Sequence, residues 1–491
     1  MSDLNSRLYR DTRDVYGKSE SSPAKSLYRM SQAEADKFPD LRAFACEGSC
    51  ATNAWNVNFS NGNVNNNNKN NTNYVRCVRF LNAKNVLEDK SIYNAYADCR
   101  RRKRGTANEQ EFEKKVSSNL VRLTKELQNG TYKPGKSVCF VVKNPKPREV
   151  FAADFRDRIV HHLIVRRLEP YWEKVFIFDS YACRKGKGTL AAVDRVAHFV
   201  RSITENGKKR AYFLQLDVAN FFMSINRDIL WKLLEKGLDK QFREESEEKE
   251  NIRKLLKILV FHDPTESYIN KARPEEWAMV PPQKSLFHSR GRGLPIGNLT
   301  SQFFANVYLN TLDQFVKHTL KARYYVRYVD DFIILHESKE QLSEWLEIIR
   351  NFLEEKLELK LKKAVKLAPL SCGINFPGYV QHVFYRLVRR RVVNNFARKM
   401  EGWRKKAAKR KLDLGELAEV RSLLNSYLSH AAKAKARTIF NKVLNLNKWV
   451  WNYFEFQGNK AVFKAQFKAE REKQIWDFIR RGLWENLQTE A

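Results

Sequence analysis

Apolar residues first recur at helical spacing in "SIYNAYADCRRRKRGTANEQEFEKKVSSNLVRLTKELQNGTYKP". There Val116, Leu120, Leu123 and Leu127 share one face before Gly130 and Pro134 end the run. A short strand, "SVCFVV", follows. From about 135 to 383, strand-like apolar runs alternate with helical ones, which predicts a mixed α+β domain. Two of these strands end on carboxylates. "AYFLQLDVANFFMSI" (211–225) delivers Asp217 directly before a helical turn, and "ARYYVRYVDDFIIL" (322–335) reads as a hairpin with Asp330 and Asp331 at its tip. The last hundred residues, from "RLVRRRVVNNFARKMEGWRKKAAKRKLDLGELAEVRSLLNSYLSH" onward, are helical in pattern and dense in Arg and Lys.

Residues 1–90 follow neither period. Between Asn53 and Asn73, 12 of 21 residues are asparagine, whose side-chain amide competes for the backbone's own hydrogen bonds and favours neither helix nor strand. This stretch reads as a small separate module or an irregular arm.

Composition adds a partner class. The 491 residues carry 90 Lys and Arg against 56 Asp and Glu, a net charge of +34, while a hydrophobic share of 43% is enough for real cores. Such an excess on a folded chain predicts a polyanion, most simply nucleic acid, bound with strong salt dependence. A basic membrane-surface protein is the alternative. It is disfavoured because no apolar run has spanning length and the basic residues recur from Arg100 to Arg481. The N-terminus has no apolar secretory core, so a cytoplasmic location is expected. Seven cysteines, Cys46, Cys50, Cys77, Cys99, Cys139, Cys183 and Cys372, are scattered and odd in number. They read as reduced, mostly buried thiols in preference to a zinc site.

Paired aspartates at a turn are more often structural than catalytic. A second strand ending on Asp217 changes that reading. Strand ends supplying three carboxylates can hold two Mg²⁺ ions about 3.5–4 Å apart, one activating a 3′-hydroxyl and the other steadying leaving pyrophosphate. Phosphoryl transfer needs positioning and charge neutralisation, with no covalent nucleophile.

The order of motifs around these strands resembles that of a reverse transcriptase. "LDVANFF" and "YVDD" are similar to the palm, and "NPKPREVFAADFRDRIVHHLI" (144–164) to the fingers motif. "FDSYACRKGKGTLAAV" (178–193) resembles the segment that follows it in bacterial enzymes. "GRGLPIGNLTSQFFANVYLNTLD" (291–313) resembles the template-and-nucleotide loop with its helix, and "GINFPGYV" (373–380) the primer grip. The likeness spans about 135–385, and five motifs in order make it specific where each alone would be weak.

The resemblance implies a right-hand polymerase, α+β in class. Its fingers and palm would span 91–383, with an antiparallel palm sheet, and a basic helical thumb would span 384–491, after a small irregular N-terminal segment at 1–90. It implies that Asp217 and Asp330 bind two Mg²⁺ ions, Mn²⁺ being an alternative, with Asp331 beside them and the Val218 carbonyl helping. Arg148 would grip the incoming triphosphate, with Lys143 a weaker candidate; an arginine fork suits phosphate oxygens. Phe222 would lie under the sugar and exclude a ribose 2′-hydroxyl, core packing being the compatible alternative. Ile296 and Gly297 would line the nucleotide site, Gly297 by allowing close backbone approach. Ser301, Gln302, Gly378 and Tyr379 would meet template and primer. A lysine that protonates pyrophosphate in the family falls within Lys363 to Lys366, in ambiguous register.

One departure narrows the likeness. Many reverse transcriptases carry glutamine where this chain has Ile296, and serine-proline where it has Ser301-Gln302. "IGNLTSQ" and the thumb-like "LLNSYLSHAAKAKARTIFNKVL" (423–444) resemble the bacterial and phage enzymes of diversity-generating retroelements. That family misincorporates opposite template adenines; its partners are a structured template RNA, primer and cDNA, deoxynucleotide triphosphates, and a small basic oligomeric accessory protein. The asparagine tract fits this reading, since asparagine has only the codons AAT and AAC and an asparagine run is a run of adenines. "AWNVNFSNGNVNNNNKNNTNYVRCVR" (54–79) is also similar to the end of the variable lectin-like domains such elements diversify. The reading frame would then run through, or have copied, a template repeat; a low-complexity polar linker is the alternative. Other open readings are a phage-defence reverse transcriptase, a group II intron maturase, disfavoured by the lack of a Cys/His-rich segment after the thumb, and a catalytically dead RNA-binding scaffold.

Overall fold

In the computed structural model, the described residues are 87–101, 105–143, 146–289, 291–434 and 436–467, together with the backbone of 53–57 and 64–68. The asparagine tract yields a result its composition did not suggest: strand β1 (Asn53–Val57) pairs antiparallel with β2 (Val64–Asn68). Backbone ladder bonds form here despite a residue type depleted in strands. The rest of 1–86 lies outside the described residues, as do Cys46, Cys50 and Cys77. Among the described cysteines Cys99 and Cys139 are buried, whereas Cys183 and Cys372 are exposed, so the expectation of mostly buried thiols holds for half of them.

The chain divides into two compact units. The first takes in residues 1–135, 154–167 and 246–252. It contains α1 (Asp89–Arg100), α2 (Ala107–Glu113) and α3 (Val116–Gln128). Leu123 and Leu127 of α3 are buried, as the helical spacing required. Tyr96, Phe112 and Phe155 pack their rings together, and buried Asp157 accepts from Tyr132 Oη at 3.0 Å and Gly135 N at 2.7 Å.

The second unit takes in 136–153, 168–245 and 253–491. Strand β3 (Ser137–Val142) pairs antiparallel with β4 (Arg148–Ala152). Helix α4 (Phe155–Val175) counts with the first unit up to residue 167 and with the second from 168, and α5 (Thr189–Ile203) follows. Strand β5 (Tyr212–Asp217) leads into the short α6 (Phe221–Ser224), α7 (Arg227–Gln241) and α8 (Glu247–Phe261), of which residues 247–252 count with the first unit. Strand β6 (Tyr268–Asn270) joins β3 in parallel, and the single turn α9 (Pro274–Trp277) precedes α10 (Leu299–Gln314). Helix α10, "LTSQFFANVYLNTLDQ", has twelve of its residues buried, among them the polar Thr300, Ser301, Asn306, Asn310 and Asp313.

The hairpin β7 (Tyr324–Tyr328) and β8 (Asp331–His336) joins β5 and β9 (Lys366–Pro369) in a four-stranded antiparallel sheet of order β7-β8-β5-β9. Helix α11 (Lys339–Leu357) packs on β5 and β8, and α5 on β7. A three-stranded sheet follows, β10 (Ile374–Phe376), β11 (Tyr379–Gln381) and β12 (Arg386–Val388), then α12 (Arg390–Lys409), α13 (Leu414–Ala432) and α14 (Arg437–Asn445). One apolar core joins α5, the four-stranded sheet, β10–β11 and the last helices through Phe213, Ile333, Phe376, Phe396, Leu424 and Phe440. The C-terminal segment is not helical throughout: β13 (Phe454–Gln457) and β14 (Lys460–Phe463) form a hairpin. No helix among the described residues is long and apolar enough to cross a membrane.

Candidate active site

Antiparallel register brings the carboxylates together. Asp217 ends β5, Asp331 begins β8, and the two are cross-strand partners. Val218 N donates to Asp330 O at 3.3 Å, so the backbone carries Asp330 to the same corner. The period of two along β5 sets Phe213, Gln215 and Asp217 on one face, Phe213 buried and the two polar residues half-buried, with the buried Leu214 and Leu216 on the other. Gln215 Nε2 donates to Asp331 Oδ1 at 3.0 Å and to Asn375 O at 2.9 Å.

Crowding of like charge is written into the titration of the pair. Burial, then the Asp217 charge, pushes the Asp330 carboxyl up to about 6. For Asp331 burial is again first and carries it to about 7, against the Gln215 hydrogen bond, which lowers it. Asp217 Oδ1 is buried with no hydrogen-bond partner, while Lys362 Nζ forms an ion pair with Oδ2 and Lys362 N donates to Asp217 O at 2.9 Å. Arg389 also faces this corner. Its guanidinium is half-buried, burial depresses its pKa, the Asp331 charge opposes that fall, and its Nε lacks a partner.

These features fit a divalent cation. All the donors are hard carboxylate oxygens, one of them an orphan, and mutual repulsion is what a cation would relieve. Among the described residues no three such side chains already stand at ligand spacing, and Lys362 draws Asp217 Oδ2 to itself. Val218 is buried and bridges to Leu361, so it borders the same corner.

The turn that presents Asp330 is strained. Only Val329 and Asp330 separate Tyr328 from its partner Asp331, and Val329 has φ 58°. Left-handed backbone is unusual for a β-branched residue and costs on the order of 1–3 kcal/mol. It is the first position of a two-residue hairpin loop, where glycine is the usual solution.

The residues expected at the nucleotide form two groups. Phe222 and Ile296 are half-buried against the small core of Cys139, Phe151, Met223 and Leu286, so packing is at least part of what each does. Gly297 (φ 127°) does permit a close approach, but to β4: a Cβ there would lie 2.8 Å from Val150 Cγ1 and 2.9 Å from Phe151 O. Phe151 N donates to Ile296 O at 2.9 Å, fastening the same two segments. Arg148, at the start of β4, is exposed and makes no ion pair among the described residues, whereas Lys143 pairs with Glu276 at 3.0 Å.

Two of the residues expected at template and primer have buried side chains. Ser301 lies inside buried α10, and Tyr379 is fully buried, its ring stacked on His430 at 4.1 Å and its hydroxyl donating to His430 O at 3.0 Å. Gln302 is exposed, and Gly378 (φ 82°) lies under the His430 ring, where a Cβ would come within 2.6 Å of Cε1. Sequence reasoning missed Gln215, Lys362 and Arg389. Gln215 was readable as the polar residue two before Asp217 on a strand of period two. Lys362 follows an irregular segment with no periodic signal, and Arg389 lies in the one-residue link between β12 and α12, where no motif marks it.

Residues 136–381, half of the chain, match the family model described as reverse transcriptase (RNA-dependent DNA polymerase). The protein YkfC of Escherichia coli K12 is 23% identical over 321 residues, covering 58% of this chain and 75% of that protein. Among solved structures, a telomerase from Candida albicans in complex with the TWJ fragment of telomeric RNA is 12% identical, with a TM-score of 0.38 over 65% of this chain and 58% of that one. The apo telomerase from Candida tropicalis is 10% identical, with a TM-score of 0.40 over 63% and 58%. The chain thus spans less than two thirds of either telomerase. The match to the family model includes both strands that set Asp217 beside Asp330 and Asp331, and by it the chain belongs to the reverse transcriptase (RNA-dependent DNA polymerase) family.

Proposed function

We propose that this reverse transcriptase copies a structured template RNA into cDNA from deoxynucleotide triphosphates, with Asp217, Asp330 and Asp331 as its catalytic carboxylates. The observation that carries the reading is the cross-strand pairing of Asp217 with Asp331, beside an orphaned carboxylate oxygen. Asp217 and Asp330 would hold the two Mg²⁺ ions, with the Val218 carbonyl at their edge. When bound, such ions lower the pKa of the primer 3′-hydroxyl and neutralise charge on the leaving pyrophosphate. Gln215 holds Asp331 in orientation, and Arg148, unpaired on its strand, is free to fork onto triphosphate oxygens. Phe222, packed on the same small core as Ile296, would serve as the floor under the sugar. Primer extension on an RNA template tests the assignment. Wild-type protein should extend and Asp330→Asn should lose at least a thousand-fold in kcat, whereas full activity in that variant would remove the enzyme reading.

The finer reading is mutagenic retrohoming by a diversity-generating element, in the cytoplasm of a bacterium, with a small basic oligomeric accessory protein. Ile296 supports it, since an aliphatic side chain in place of glutamine offers no hydrogen bond to nucleotide or template and selection loosens. The adenine-rich coding of residues 53–73 supports it from the substrate side. Sequencing of cDNA made on a defined RNA should show errors concentrated opposite adenine. The genome should also hold a near copy of the tract's DNA at the end of another gene, differing mainly at adenines. Errors spread evenly over the four template bases, with no such copy, would favour the phage-defence alternative.

A further inference from the structure

We infer that Arg327 is a positioning residue, and that its buried pairing with Asp313 holds the strained Val329 turn in the conformation that aims Asp330. This rests on the reading of Asp330 as a catalytic carboxylate. Arg327 is fully buried in β7, next to its last residue, where an apolar residue would ordinarily sit. Its guanidinium divides its donors in two directions. Nε and Nη2 grip Asp313 at 2.7 and 2.6 Å, while Nη1 donates to Val329 O at 3.0 Å and to Asn306 Oδ1 at 3.3 Å. Asp313 is itself buried and accepts a third bond, from Tyr325 Oη at 2.7 Å. The backbone of Arg327 is fixed on the opposite edge, its N donating to Asp179 O at 3.0 Å and its O accepting from Tyr181 N at 3.0 Å.

A buried ion pair is weak support for stability, because apolar residues of similar volume often serve as well, and its retention is better explained by a conformation it specifies. That conformation is the turn. Val329 occupies a left-handed backbone position that valine avoids, and the Val329 carbonyl is the atom Arg327 holds. Asn306 and Asp313 both belong to α10, the helix that also carries Ser301 and Gln302. The clamp therefore ties the turn bearing Asp330 to the helix of the "IGNLTSQ" motif, and movement of α10 would be felt at the carboxylate.

Glycine adopts positive φ without strain, so a turn carrying Val329→Gly no longer depends on a clamp. The test is a double-mutant cycle measured by primer extension at saturating substrate, with melting temperature read alongside. The clamp is removed by Asp313→Leu, Tyr325→Phe and Arg327→Met together, which leaves no orphaned charge. Expected results are a kcat lower by ten- to a hundred-fold, a KM for deoxynucleotide within about three-fold, a retained melting transition, and a several-fold smaller loss when Val329→Gly is the background. Arg327→Lys, which keeps a cation on Asp313 but lacks the fork, should show the same pattern in protein whose packing is least disturbed. An equal loss of kcat with and without the Val329→Gly change, or no loss in either clamp variant, overturns the inference. Failure of the catalytic reading itself would look different, as activity surviving Asp330→Asn.

Discussion

At the level of single residues, the carboxylate corner is a place where charge is held against its own preference. Gln215 is the neutral donor that relieves Asp331, and a hydrogen bond to a charged group contributes about 1.5–3 kcal/mol. Gln215→Leu is therefore expected to lower kcat roughly ten-fold or more in primer extension, since the same figure spans one to two decades. It should also shift the acidic limb of the pH–rate profile upward, because the bond it removes lowers the Asp331 pKa. The pair also fixes a sign for stability without metal. Asp330 and Asp331, at about 6 and about 7, are both raised above the ordinary 3.8, so the folded protein binds protons more readily than the unfolded chain. Their destabilising contribution is complete above pH 7 and disappears as pH falls toward 4. In a chelator, the melting temperature of wild type should rise as pH is lowered from 8 to 6. Asp331→Asn should melt higher than wild type at pH 8, with the gap closing at pH 5; a gap that widens on acidification would contradict the burial cause.

Elements were legible where periodicity and turn chemistry agreed. Strands 137–142, 212–217 and the 324–336 hairpin stand where alternation and apolar runs put them, and α3 spans the residues its stripe marked out. The β13–β14 hairpin was missed although its signal was present: Gly458-Asn459 is a two-residue loop between alternating "FEFQ" and "KAVF", with Gly458 at φ 60°. The surrounding density of helix-forming residues obscured it. Contacts between distant elements were not legible at all, since no local pattern reveals that Tyr379 stacks under His430 or that Gly297 abuts β4. That second contact carries a prediction. Gly297→Ala would push a Cβ against Phe151 O, a backbone atom that cannot turn aside, at a φ alanine rarely adopts. A loss of about 1–3 kcal/mol is expected in denaturant unfolding, larger than for Gly402→Ala, whose added Cβ meets nothing within 4 Å in the exposed part of α12.

For the whole molecule, net charge is the property the sequence states most directly and locates least. An excess of +34 predicts a polyanion without saying which face meets it. The structure narrows the choice through α12, which buries Phe396 and Met400 on one side and exposes Arg398, Lys405 and Lys409 on the other. Not every cation there is available: Arg404 pairs with Glu401, and Lys406 with Glu416. A strand bound along this face would release about 0.7 counterion per phosphate neutralised. Changing Arg398, Lys405 and Lys409 to Gln should therefore flatten the slope of log K against log salt by about 2 for single-stranded RNA. Affinity should fall at 50 mM salt and converge on wild type near 1 M, with kcat at saturating template unchanged, since none of the three touches the carboxylate corner. A parallel weakening at every salt concentration would mean that the variant lost shape and not charge. An unchanged slope would place the RNA on another basic face, because counterion release counts the phosphates actually met and is indifferent to charge elsewhere.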